Sequence, residues 1–158
     1  MAPFSISRTT PIAAAPDAVH ALINDFHAWP RWSPWEGVDS NLQRSYSGPE
    51  SGNGAAYAWQ GDKNAGRGNM TITGSTPERI DIDLHFEKPW KAHNRVRFDV
   101  VGTPQGQTEA TWTMSGENRG IAALFAKVFN MDKMLGKDFE KGLAQLKVAA
   151  ENDGRDPS

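Results

Sequence analysis

The chain has 158 residues, the size of one ordinary domain and long enough to bury a core without covalent staples. It has no cysteine, which excludes a disulfide framework, a thiol nucleophile and a Cys-ligated metal, and fits a reducing, cytoplasmic compartment. Its 17 Lys and Arg against 19 Asp and Glu leave a formal charge of −2, without the basic excess of a general nucleic-acid binder.

Residues 4–10 alternate apolar or Thr with polar side chains and predict a first strand. Residues 1–16 lack the basic start and apolar run of a secretion signal. Pro16 suits a first helical turn, Asp17 suits the positive end of a helix dipole, and Val19, Leu22, Ile23 and Phe26 recur at helical spacing. A helix is therefore expected over 16–26. Trp29, Trp32 and Trp35 follow at spacing three. Pro30 and Pro34 lack an N–H and clash with the preceding turn, so a short helical turn and a tight loop are expected instead of one helix.

Six strand-like runs come next, at about 40–47, 54–61, 66–75, 78–87, 93–102 and 106–115, divided by Gly, Pro and Asn. Their short connections imply antiparallel hairpins, because parallel pairing needs a long crossover. Ile80, Ile82, Leu84 and Phe86 alternate with Asp81, Asp83, His85 and Glu87. Val96, Phe98 and Val100 alternate with His93, Arg95, Arg97 and Asp99. One face of the sheet is thus wet and the other dry. The dry face is covered by an amphipathic helix marked by Ile121, Leu124, Phe125, Val128, Met131, Leu135, Phe139, Gly142, Leu146 and Ala149. Asn130 and Asp132 are expected to break it, with Asp132 capping a second segment. Gly142 suggests close packing on the sheet, and 152–158 should fray. No window approaches 18 apolar residues, so no membrane span is expected.

The segment His27-Ala28-Trp29-Pro30-Arg31-Trp32-Ser33-Pro34-Trp35-Glu36 resembles the "WxxWSPW" stretch of bacterial SRPBCC proteins, the polyketide cyclase or dehydrase subgroup of the START-like superfamily. Tyr46-Ser47-Gly48-Pro49, the run from Gly52 to Trp59, and Gly66-Arg67-Gly68-Asn69-Met70-Thr71-Ile72 are similar to that subgroup's second to fourth strands. The run from Asn130 to Leu143 resembles its last helix. The resemblance spans roughly residues 4–151. It implies one α+β helix-grip domain over 1–158: a seven-stranded curved antiparallel sheet around a long C-terminal helix, with two short helices between strands 1 and 2. It also implies a cavity between sheet and helix.

The pocket candidates follow from that fold. On the dry face they are Tyr57, Trp59, Met70, Ile72, Ile82, Leu84, Phe86, Phe98 and Trp112, while Trp35, Phe129, Met134 and Leu135 would sit near the mouth or roof. Each is also an ordinary core residue by type. Tyr57 and Trp59 stand out because each adds a hydrogen-bonding tip to an apolar wall. The Trp-rich segment reads as a plug closing one end of the barrel before it reads as a moving gate.

Reactive constellations are absent from the pattern. His85 and His93 flank the turn at Pro89 and face each other across a hairpin, but no third ligand is evident, so no metal is expected. Asp138 beside the apolar stripe, Glu36 and Arg44 read as surface groups. Gly66-x-Gly68 lacks the Gly-Lys-Ser/Thr of a phosphate loop, and no Gly-x-Ser-x-Gly elbow can be assembled. The triplet Asn69-Met70-Thr71 sits in a predicted strand and is assigned no role.

Three functions remain open, in this order: a container for a small hydrophobic molecule (a lipid, polyketide-like or aromatic compound), a cyclase or dehydratase using the same cavity, and a co-chaperone-like interaction protein. No catalytic residue and no cofactor is expected. Fold analogy alone does not choose among them.

Overall fold

A computed structural model describes residues 3–33, 43–61, 67–88, 92–117 and 128–155. Seven strands form one sheet: β1 (Pro3–Ile12), β2 (Gln43–Ser47), β3 (Ala56–Gln60), β4 (Arg67–Thr76), β5 (Arg79–Lys88), β6 (Ala92–Gly102) and β7 (Thr108–Glu117). Helix α1 (Pro16–Ile23) and a 3-10 helix (Phe26–Arg31) lie between β1 and β2, and α2 (Val128–Arg155) ends the fold. The sheet order is β1-β7-β6-β5-β4-β3-β2, and every neighbouring pair is antiparallel. Consecutive hairpins run from β2 to β7, and β1 closes against β7. This is the helix-grip arrangement expected from the sequence.

Alternation dictates which face each strand buries. Ile80, Ile82 and Leu84 of β5, Val96, Phe98 and Val100 of β6, and Ala110, Trp112 and Met114 of β7 are buried on the inner face. Each such branched or aromatic side chain contributes on the order of 1.5–3 kcal/mol of burial. The intervening residues form an ionic and hydroxyl lattice on the outer face. Asp81 accepts from Arg97 at 3.2 Å and pairs with Arg79 at 3.2 Å. Ser7 meets Thr113 at 3.2 Å, and Thr9 meets Thr111 at 2.9 Å.

Helix α2 lies over β1 and β7 and against α1. Phe139, Leu143, Leu146, Ala149 and Ala150 are buried along it, and the Phe139 ring stacks on Trp112 with centroids 4.2 Å apart. Gly142 is buried, as its place in the apolar stripe suggests. No described helix is long and apolar enough to cross a membrane.

Most strand ends shift by one or two residues from the sequence reading, and both helices differ from it more plainly. The first helix ends at Ile23, not at 26: Asn24 caps it, and Asp25 turns extended to start the 3-10 helix, its carboxylate accepting from the His27 N–H at 2.9 Å. Phe26 keeps its buried position from this second turn. The last helix is not broken at Asn130 or Asp132, and it runs on through Arg155, past the start of the stretch expected to fray. A single poor helix former costs only a few tenths of a kcal/mol, less than a neighbouring buried turn returns. The expected start of this helix at Ile121, Leu124 and Phe125 lies outside the described residues.

Candidate functional site

Among the described residues, packed rings close one end of the inner face, the closed end, and rings stay half-buried at the other, the open end. At the closed end Trp29 and Trp32 pack into the core against the inner face of the sheet. Trp32 is fully buried and Trp29 nearly so. Their indole N–H groups donate to the carbonyls of Leu22 (2.8 Å) and Ile23 (2.9 Å), capping two of the acceptors that a helix C-terminus leaves open. Their rings meet Phe98 and Trp112 edge-on at 5.7–6.5 Å. Gln145 of α2 faces the carbonyls of Trp32 and Ser33, at 2.7 and 3.3 Å from the amide nitrogen when it is oriented to donate. These two tryptophans act as the expected plug. Trp35 and Glu36 lie outside the described residues.

At the open end, under β3, β4 and β5, the rings are only half covered. Tyr57, Trp59 and Phe86 are intermediate in exposure, with Met70 and Leu84 buried between them. Tyr57 lies parallel to Trp59 at 6.1 Å, and Phe86 meets Trp59 edge-on at 5.7 Å. The row continues to the sheet edge, where Tyr46 of β2 packs on Tyr57 at 5.3 Å and His27 stacks on Tyr46 at 4.0 Å. His27 is itself held by the Asp25 carboxylate at 2.7 Å.

The pocket candidates therefore divide. Ile72, Ile82, Phe98 and Trp112 belong to the packed core behind the plug. Met70 and Leu84 are buried in the same cluster, and Tyr57, Trp59 and Phe86 are half-buried and pack against it at the open end. Phe129, Met134 and Leu135 fall in the first turns of α2 and, as side chains, lie outside the described residues.

Three inner-face residues escaped the sequence reading. Tyr46 is the register partner of Tyr57, a pairing that the β2 alternation could have revealed. Asn94 is a buried amide on β6, between Leu84 and Gly116 of the adjacent strands, where its neighbours Val96 and Phe98 made the position look apolar. Arg8 shares the inner face of β1 with Ile6 and Ile12, crosses Gly136 of α2, and donates to Glu140 at 3.0 Å and to the Ser7 carbonyl at 2.8 Å. Asp138 is half-buried on α2, and Arg44 is exposed on β2.

The outer face carries a different kind of surface. A broad depression of about 560 Å³ is lined chiefly by Thr73, Asp81, Asp83, Arg95, Arg97 and Asp99. It is polar and open, unlike the ring-lined inner wall. Beside it, His85 and His93 face each other in register, their rings parallel within 7° and 4.2 Å apart. The Asp83 carboxylate lies 3.7 Å from His93 Nε2. One ligand atom from each of Asp83, His85 and His93 lies within 4.8 Å of the others. Asp83 thus adds a third potential donor beside the two histidines, one that the sequence alone did not group with them.

Residues 3–151 match the family described as polyketide cyclase / dehydrase and lipid transport. The chain belongs to that family. Solved structures extend the likeness at the level of fold. A START superfamily protein from Mycobacterium smegmatis superposes with a TM-score of 0.60 at 17% identity, covering 94% of this chain and 97% of the other. A protein of unknown function, SA2116, from Staphylococcus aureus gives 0.69 at 10% identity, covering 98% of each chain. The Aha1 dimer from Colwellia psychrerythraea gives 0.53 at 17% identity, covering 87% and 96%. No curated protein matches the chain. Family and fold agree with a hydrophobic-ligand-binding domain of the START-like class.

Proposed function

We propose that the protein binds a small hydrophobic molecule, aromatic or lipid-like, against the inner wall formed by Tyr57, Trp59, Met70, Leu84 and Phe86. The observation that carries this reading is the contrast along one sheet face. Beneath the Trp plug and α2 the rings are sealed into core, whereas Tyr57, Trp59 and Phe86 remain half-exposed. A half-exposed ring cluster forgoes burial energy that a ligand supplies. Apolar walls with a few polar groups are the usual anatomy of such sites, and Asn94 provides a buried amide on the same face.

The test is titration with 1-anilinonaphthalene-8-sulfonate and with oleate, following fluorescence. Saturable binding at one site is expected. Trp59→Ala should weaken it by about tenfold, the equivalent of roughly 1.4 kcal/mol of lost contact. Thr111→Ala on the outer face should leave it unchanged. Absence of binding by both probes, or equal affinity in Trp59→Ala, overturns the proposal.

A further inference from the structure

We propose that Asp83, His85 and His93 form a binding site for a divalent late first-row transition ion, of the Zn(II) or Cu(II) class, on the outer face of the β5–β6 hairpin. Two imidazoles and one carboxylate are the donor set such ions take, with water completing the coordination. The sheet brings the donors together by two independent rules. Residues two apart on a strand share a face, which puts Asp83 beside His85. The β5–β6 register then sets His93 directly opposite His85.

The distances suit an ion after a small adjustment. Donors on a tetrahedral ion with bonds of about 2.0–2.1 Å sit roughly 3.3 Å apart. Here the three ligand atoms already lie within 4.8 Å of one another, and the Asp83–His93 separation is 3.7 Å. The side chains of His93 and Asp83 are 52% and 36% exposed, so rotation about their χ angles closes the remaining gap and water reaches the open positions. The two imidazoles stack face to face, so they must tilt toward each other for one lone pair from each to meet on the ion.

Charge separates this carboxylate from its neighbour. Asp81 is committed to Arg79 and Arg97. Asp83 instead has an imidazole beside it, a group that exchanges a proton for a metal. Arg95, the register partner of Asp83, is the competing cation. The ion would tie β5 to β6 directly behind Leu84 and Phe86, which alternate with Asp83 and His85 on the same strand.

The experiment uses the full chain without an affinity tag. It is titrated with Zn(II) by calorimetry and with Co(II) by visible absorption. One ion per chain is expected. His85→Ala and His93→Ala should each weaken binding by at least about tenfold, and Asp83→Asn should weaken it as well. Arg95→Gln should tighten it, while His20→Ala and His27→Ala should leave it unchanged. All these side chains face solvent or sit at the surface, and far-UV circular dichroism checks that each variant is folded. No saturable Zn(II) binding below about 1 mM, a weak-binding limit, overturns the site. So does one-to-one binding that survives in the His85→Ala/His93→Ala double variant. Unchanged affinity in Asp83→Asn overturns the three-donor assignment.

Discussion

The benzo edge of the Trp59 indole sits against Gly68. A Cβ built on that glycine would fall 2.6 Å from the ring's Cη2 and would also collide with the His85 carbonyl oxygen. Gly68 sits at a register shift between β4 and β5, so the missing side chain serves two purposes: it admits the ring and it lets two backbones approach.

Gly68→Ala is therefore expected to destabilise the fold by about 1–3 kcal/mol, the usual cost of overpacking. Because one of the clashing atoms is backbone, the β4–β5 pairing must shift as well as the ring. Chemical denaturation measures the loss, and the same variant should bind hydrophobic probes more weakly because the Trp59 ring is displaced.

Trp32→Phe keeps an aromatic ring in the plug but removes the N–H that serves the Leu22 carbonyl. A buried acceptor left without its donor costs about 1–3 kcal/mol. The midpoint of urea unfolding should fall accordingly. A change indistinguishable from zero would show that ring packing alone holds the plug.

Phe139→Ala removes the ring stacked on Trp112 at the closed end. Phe139 is fully buried. Emptying such a position costs about 3–5 kcal/mol. Equilibrium unfolding should show it as the most damaging of the three substitutions.

Gly136→Ala offers a cycle with a defined sign. Alanine is preferred to glycine in a helix by about 1 kcal/mol. Here its Cβ would run into the Arg8 guanidinium, 2.6 Å from Cζ. The obstacle is the end of a flexible side chain, so the clash roughly offsets the helical gain and the single change should be near neutral. In an Arg8→Ala background the obstacle is gone, and Gly136→Ala should stabilise by about 1 kcal/mol. Thermal unfolding of the four proteins checks the coupling.

Much of the architecture was readable because strands announce a period of two. Asp81, Asp83 and His85 against Ile80, Ile82 and Leu84 define the two faces of β5 from the pattern alone. Helix ends were less legible. Phe26 continues the helical spacing of Val19, Leu22 and Ile23, yet Asn24 and Asp25 redirect the backbone and Phe26 reaches the core from a separate turn. At Asn130 and Asp132 local propensity was outweighed by the helix around them. In the site, residue type misled. Asn94 and Arg8 are polar but stand on the inner face, because strand parity, not polarity, decides where a side chain points. Grouping Asp83 with His85 and His93 needed the β5–β6 register, which no single strand encodes.

The passage of Arg8 across the helix also guards the margin of the sheet. β1 is an edge strand, and in a regular strand every second residue turns its backbone groups the same way. Pro11 has no N–H to give to β7, so the odd positions of β1, from Pro3 to Pro11, face outward. An additional strand approaching that margin would meet no donor at Pro3 or Pro11. At Ser7 it would find a carbonyl already accepting from Arg8. The same arginine that clasps α2 thus helps keep the open sheet from growing by edge-to-edge addition of another chain.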